Sequence, residues 1–399
     1  MNGGEFVVSP DIVVIGAGVI GAACAEALSA AGARVTVLDR GAPASGTTAA
    51  GEGNVLVSDK APGPELELAQ ASRKLWPELL AALAEELGPE LADAEWEPKG
   101  GLVVATGDES AAPLRDFAGA QRAAGVRADP VTAAEAGALE PHLTKAITAA
   151  VHYPEDAQLQ PVLAATALLA AVRARGGEVR SGVRAIGIEA DAGGAFKAVL
   201  TDRGAIACAA VVNACGPWAG AFAADAGAPI AVLPRRGMVL VTAPLPYTVR
   251  HKVYDADYVG AVASGDADLQ TSTVVESTGT GTILIGSSRQ RVGFEERFEV
   301  RVLAELARKA QRLFPILARV PVMRAYGGFR PYAPDHLPII GADPRVPGLW
   351  HATGHEGAGI GLAAATGRMI ADLYAEKETA VDASPFRVDR PAVIEEVAA

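Results

Sequence analysis

Four apolar residues, Ile12 to Ile15, run without a break into Gly16-Ala17-Gly18-Val19-Ile20-Gly21. An alanine-rich apolar stretch follows, then a second strand-like run, Arg34 to Leu38, that stops on Asp39. This order spells a βαβ unit with a glycine-rich first turn. Gly16 permits the tight turn, Gly18 lets backbone approach a pyrophosphate, and Gly21 lets the helix pack close to the strand. The helix N-terminus attracts phosphates. Asp39, 23 positions after Gly16, can accept hydrogen bonds from ribose hydroxyls. With all of that context present, the pattern predicts a bound dinucleotide and leaves open which one.

The rest of the chain narrows the choice. At 399 residues it is long for one core, and about two domains are expected. Half of the residues are hydrophobic and 21% charged, which suits a compact globule. With 35 basic against 47 acidic residues the net charge is −12, so nucleic acid and anionic lipid are not expected partners. Cys24, Cys208 and Cys215 form no CxxC pair, which predicts a reducing compartment and no metal or iron–sulfur site built by this chain. Met1 to Pro10 lacks the basic region of a signal peptide, and the apolar run Leu159 to Val172 is too short to span a bilayer before Arg173. A cytoplasmic protein without a membrane span is expected.

A polar loop, Ala44 to Asn54, follows the opening unit, and then a helical pattern from Glu65 to Leu87, with a kink expected at Pro77. Further on, the pattern predicts a strand over Lys99–Thr106 and helices over Ser110–Ala124 and Pro161–Arg175. Short strands are expected at 178–180, 184–189, 197–201 and 205–213, and strand-rich chain from Pro229 to Gly286. A helix over Phe294–Phe314 and a strand over Met323–Arg330 come next. Near the end, a strand, Leu349 to Thr353, enters a second glycine-rich turn and a helix, Gly361 to Tyr374. If both turns face one ligand, the nucleotide domain is discontinuous. The expected fold is therefore α/β (α+β overall), a Rossmann-like domain of residues 8–58, 155–230 and 325–378. Residues 59–154 and 231–324 form an antiparallel-sheet cap that binds substrate, and 379–399 a peripheral tail.

An NAD(P) dehydrogenase usually continues as regular βα units. Here the chain enters Ala44-Ser-Gly-Thr-Thr-Ala-Ala-Gly-Glu-Gly-Asn54 instead, a loop rich in backbone donors that favours a large cofactor lying extended. The opening unit, the SGTT loop, VVNACGPWA (Val211–Ala219), GGFRPYAPDHLPIIG (Gly327–Gly341) and ATGHEGAGIGLAAATG (Ala352–Gly367) occur in that order. In this the chain resembles the D-amino-acid oxidase-like amine oxidoreductases, which include glycine oxidase, sarcosine oxidase and D-amino-acid dehydrogenases. Finer stretches, GEGNVLVSDK, DAQLQP and ILIGSSRQRVGF, resemble the flavin subunits of hydrogen cyanide synthase, opine oxidases and D-hydroxyproline dehydrogenase.

The resemblance implies FAD as cofactor and a set of residues around it. Gly16, Gly18, Gly21, Asp39 and Arg40 belong to the first turn and strand end, and Val183 passes the adenine through its backbone. Thr47 and Thr48 bring donors toward the pyrophosphate and flavin, while Gly51, Gly53 and Asn54 let the chain pass the flavin face. Gly216 lies at the CGPW strand end. Gly354, His355, Gly357, Gly359 and Ile360 place a helix N-terminus at the flavin edge where reduction puts negative charge. Relatives with covalent flavin use a cysteine near the C-terminal loop or a histidine near the N-terminal one. Neither is present, so non-covalent FAD is expected.

Arg330, in FRPY, is implied as the grip on a substrate carboxylate, a planar guanidinium offering two parallel donors. Tyr254 and Tyr258 fall where relatives place carboxylate-binding tyrosines; Tyr332 and His355 are further candidates. The implied reaction is hydride transfer from the Cα–H of a small amino or imino acid to flavin N5, leaving an imine. The finer resemblance implies a dehydrogenase with companion subunits that carry a second flavin or an iron–sulfur centre. A stand-alone glycine- or sarcosine-type oxidase and a flavin-bearing relay subunit remain alternatives.

Overall fold

The computed structural model describes residues 9–191, 196–257 and 264–394. Its first strand, Ile12–Ile15, is buried throughout and sits inside a six-stranded sheet. Strands Val35–Asp39 and Ala210–Asn213 flank it in parallel, and Glu178–Ser181, Leu349–Thr353 and the antiparallel Ile339–Ala342 extend the sheet outward. An unbroken apolar run suits such a strand, because helices or sheets cover both of its faces. Helix Val19–Ala30 packs on this sheet between Pro161–Ala174 and the closing helix Gly359–Tyr374. The closing helix comes unusually near: a side chain at Gly367 would run into the backbone of Ala23. That approach explains the alanine and glycine enrichment of both helices.

A second sheet has eight strands and is antiparallel apart from the pair Lys252–Asp255 with Gly101–Ala105. At its edge, Val322–Tyr332 pairs along its length with Leu233–Thr242, placing Arg330 opposite Arg235. Helix Val300–Leu313 covers this sheet with Val302, Leu306, Ala310 and Leu313, one stripe at helical spacing. A three-stranded sheet (Ala185–Ala190, Phe196–Thr201, Gly204–Ala207) stands on the nucleotide side.

Several elements differ from the sequence reading. The run 205–213 is two strands in different sheets, Gly204–Ala207 and Ala210–Asn213, turning at Cys208-Ala209 without glycine or proline to mark the corner. The helix expected from Phe294 begins only at Val300, because 294–299 form an aromatic-bearing loop at the cavity. The helix expected over Glu65–Leu87 is present as Pro64–Leu87 and contains Pro77. That helix docks on the closing helix: Trp76 Nε1 donates to Ile360 O at 3.1 Å, and Ser72 Oγ accepts from Ala365 N at 3.2 Å. Residues 384–394 are anchored at the molecule's edge by buried Phe386, Val388 and Val393 and by Arg390, whose guanidinium holds Asp335 at 2.6 and 3.0 Å. No helix among the described residues is long and apolar enough to cross a membrane.

Candidate active site

Between the two sheets lies one elongated cavity of about 690 Å³, within the range of cofactor clefts. Its first half is made of backbone. Gly16 adopts φ +104°, where a side chain would strike the Ala214 carbonyl oxygen. Gly18 stands at the N-cap of the first helix, and the next N–H, of Val19, donates to Thr48 Oγ1 at 2.9 Å. The SGTT loop is thereby tied to the helix N-terminus. Asp39 accepts from Ala17 N and Gly41 N, each at 2.8 Å. A carboxylate offers about four lone-pair sites, so acceptor capacity remains for ribose hydroxyls.

The expected cofactor residues fall into two groups. Gly16, Gly18, Asp39, Arg40, Thr47, Thr48, Gly51, Asn54, Val183, Gly216, His355, Gly357, Gly359 and Ile360 all line the cavity. Gly21, Gly53 and Gly354 do not line it and act on packing instead. A side chain at Gly21 would strike the Gly16 carbonyl, one at Gly53 (φ +92°) the Leu159 carbonyl, and Gly354 takes φ +76° against Ala333 and Ile339. Cys215 also lines the cavity, but burial pushes its thiol up to about 12, so it stays protonated.

His355 is buried, with Nε2 3.0 Å from Thr366 Oγ1 and Nδ1 without a hydrogen-bond partner among the described residues. Burial lowers its pKa to about 3, so the ring is neutral at physiological pH and does not act there as a proton donor of the imidazolium type. Next to it Glu356 takes a positive φ of 46° and binds Arg235 Nη1 at 2.5 Å and His336 Nδ1 at 3.2 Å. Burial works to raise the Glu356 pKa. The His336 hydrogen bond and the charges of Arg235 and Arg289 outweigh it and bring the carboxyl to about 2. This pair braces the turn that carries Gly357 and Gly359.

In the other half of the cavity Arg330 reaches inward from the edge strand. Its Nη1 donates to Ser288 O at 2.9 Å, and the guanidinium lies over Gly237, where any side chain would collide with it. Asp335, the obvious surface partner, is taken by Arg390.

The tyrosines behave differently. Tyr254, expected at the substrate carboxylate, is fully buried outside the cavity, with its hydroxyl on Ser58 Oγ. That expectation is corrected: Tyr254 belongs to the buried cluster that holds Val103 and Tyr153, away from the cavity. Tyr258 lies outside the described residues. Tyr332 is buried among Arg235, Arg291 and His336 and does not line the cavity.

Sequence reasoning missed four contributors. Glu52 lines the cavity between two glycines already singled out, and Gly237 gives Arg330 its room. Trp218 carries the Arg40 guanidinium 3.9 Å from its ring centroid and stacks on Phe294 at 5.2 Å. Arg235 comes from the opposite strand to hold Glu356. Trp218 and Glu52 lay in stretches already singled out, CGPW and GEGN; Gly237 and Arg235 did not.

A glycine-rich turn at a helix N-terminus, an acid at the next strand end and a long cleft reaching a second sheet define a dinucleotide-dependent oxidoreductase. The cleft also suits the longer FAD: its lining runs from Val183 to Arg330. Over residues 11–373 the chain matches the DAO family, FAD-dependent oxidoreductases, and it belongs to that family. Glycine oxidase of Geobacillus kaustophilus (strain HTA426) is 30% identical over 391 residues, covering 95% of this chain and 97% of the relative. Hydrogen cyanide synthase subunit HcnC of Pseudomonas aeruginosa is 28% identical, covering 95% and 96%. The crystal structure of the Geobacillus kaustophilus glycine oxidase superposes with a TM-score of 0.86 at 28% identity, covering 96% of this chain and 98% of that one.

Proposed function

We propose that the protein oxidises the C–N bond of a small amino or imino acid to the imine, with Arg330 holding the substrate carboxylate. The observation that carries this reading is the position of Arg330: a guanidinium inside the cofactor cavity, given room by Gly237 and engaged with a backbone carbonyl rather than with Asp335. Bound FAD would supply the two-electron acceptor. Gly16, Gly18 and the first helix N-terminus would hold its pyrophosphate, Asp39 its ribose, and the turn at Gly357 and Gly359 its flavin edge. The amine reacts in its deprotonated form. As the substrate's Cα–H bond breaks and its electron pair passes with the hydrogen to the acceptor, the nitrogen lone pair forms the C=N bond. The resulting iminium releases an N–H proton to solvent to give the imine. The chain's part is to fix the carboxylate, exclude water and orient that bond. The three thiols are held protonated by burial, with pKa values of about 11 to 12, which supports a non-covalent cofactor.

Electrons then pass either to a companion subunit or to oxygen. The similarity to HcnC, itself named as a subunit, supports a dehydrogenase that works with companion chains, and the glycine oxidase relative supports a stand-alone oxidase. The test is an anaerobic titration of the FAD-loaded protein with glycine, sarcosine, D-proline, D-hydroxyproline and an opine. Bleaching of the flavin band by one of them is expected, and no bleaching by any would contradict the reading. Readmitting air separates the acceptors: fast recolouring with peroxide marks an oxidase, slow recolouring a dehydrogenase.

A further inference from the structure

The cavity that takes Arg330 is also lined by an acidic side chain, Glu52. Glu52 leaves the loop where its own carbonyl accepts from Gln158 Nε2 at 3.1 Å and where Asn54 pairs with Gln158, so its backbone is fixed. Its Oε2 lies 3.5 Å from Asn54 Nδ2. Its Oε1 is buried and meets no hydrogen-bond donor among the described residues. Leaving such an acceptor unsatisfied is destabilising. Behind it, Lys252 Nζ donates to Asn54 Oδ1 and lies 3.1 Å from Glu276 Oε2, so this neighbouring cation already faces a carboxylate.

Position gives the orphan oxygen a meaning. The Glu52 carboxylate lies against Gly286, where a side chain would strike Oε1, just as the Arg330 guanidinium lies against Gly237. These glycines stand on paired strands: Leu240 faces Ile285 and Val241 faces Leu284. Beyond these pairs the register shifts by one residue, to the bridge between Arg236 and Gln290, and Met238 N donates to Ser288 Oγ at 2.9 Å in between. Glu52 and Arg330 thus line the same cavity, each lodged over a glycine of this strand pair. An amino or imino acid offers a carboxylate to the guanidinium and an N–H to a carboxylate acceptor.

We infer that Glu52 determines specificity at the nitrogen end: its carboxylate accepts an N–H of the substrate while Arg330 holds the substrate's carboxylate. The inference rests on the amino-acid reading above for the carboxylate end and adds the selection of a nitrogen-bearing over an oxygen-bearing acid. It extends to secondary amines, because one N–H suffices for one acceptor.

The test uses the FAD-loaded full chain, wild type and Glu52→Gln, with ligands in matched pairs. Sarcosine is set against methoxyacetate, and D-proline against tetrahydrofuran-2-carboxylate, each analogue carrying oxygen in place of nitrogen. The half-saturating concentration for the anaerobic change in the flavin band is read for every ligand. Wild type should favour the nitrogen member by about tenfold or more. Glu52→Gln should bring each pair to within about threefold, through weaker binding of the nitrogen member. Each ratio is taken within one protein, so general damage to the variant cancels. An unchanged ratio, with both members still dependent on Arg330, overturns the Glu52 assignment alone. Failure of every ligand to perturb wild-type flavin overturns this assignment together with the amino-acid reading. Loss of flavin from a folded Glu52→Gln chain also overturns it, by assigning Glu52 to the cofactor.

Discussion

The two halves of the cavity are built on opposite plans. The nucleotide half uses backbone: glycines, N–H groups, one helix N-terminus and an acid whose oxygens are fixed by Ala17 and Gly41. Most of its parts lie within about 40 residues of Gly16. The other half uses side chains, Arg330, Glu52 and Glu356, brought together from distant segments, with Arg330 and Glu52 given room by Gly237 and Gly286. A backbone site is tolerant of neighbouring side chains and intolerant of any change at its glycines. A side-chain site can alter its substrate by single substitutions without losing the cofactor.

The largest expected effect follows at Gly16. Gly16→Val forces a branched side chain into φ +104° and onto the Ala214 carbonyl, so the purified chain should lack flavin or fail to fold. The flavin-to-protein absorbance ratio after gel filtration reads this directly. Gly237→Val tests the other half. Pushing the Arg330 head aside should raise the KM for a carboxylate substrate by about tenfold or more while flavin content stays near that of wild type. If flavin were lost instead, the division between the halves would be wrong.

His355 offers a pH test. Its pKa is about 3 when folded and about 6.5 when unfolded, so below pH 6.5 the unfolded chain binds the extra proton. The stability it contributes is complete above about pH 6.5 and declines as pH falls from there toward 3. In a Tm-against-pH series, His355→Asn should flatten that acid limb. An unaltered limb would show that the buried ring is not its source. The smallest effect belongs to Trp218→Ala, which removes the Arg40 contact and should weaken FAD retention by about two- to fivefold in equilibrium dialysis.

This contrast also explains what the sequence made legible. Gly16, Gly18 and Asp39 could be placed because a dinucleotide turn needs fixed residue types at fixed spacing. Arg330 was legible through the FRPY resemblance. Glu52 was not, because an acid in a polar loop looks solvated until Gly286 on a distant strand is seen to hold it. Tyr254 misled because strand residues alternate faces, and a one-residue uncertainty in register exchanges pocket for core. The corner at Cys208-Ala209 escaped notice because an apolar run carries no sign that its halves join different sheets.

The most direct measurement compares Arg330→Ala with wild type, both loaded with FAD, for KM and kcat on whichever acid of the panel bleaches the flavin. The expected result is intact flavin content and a KM higher by roughly 10- to 100-fold, as loss of a charge-assisted hydrogen-bond pair requires. Unchanged kinetics on a carboxylate substrate would contradict the placement of Arg330 and, with it, the reading of this half of the cavity as an amino-acid site.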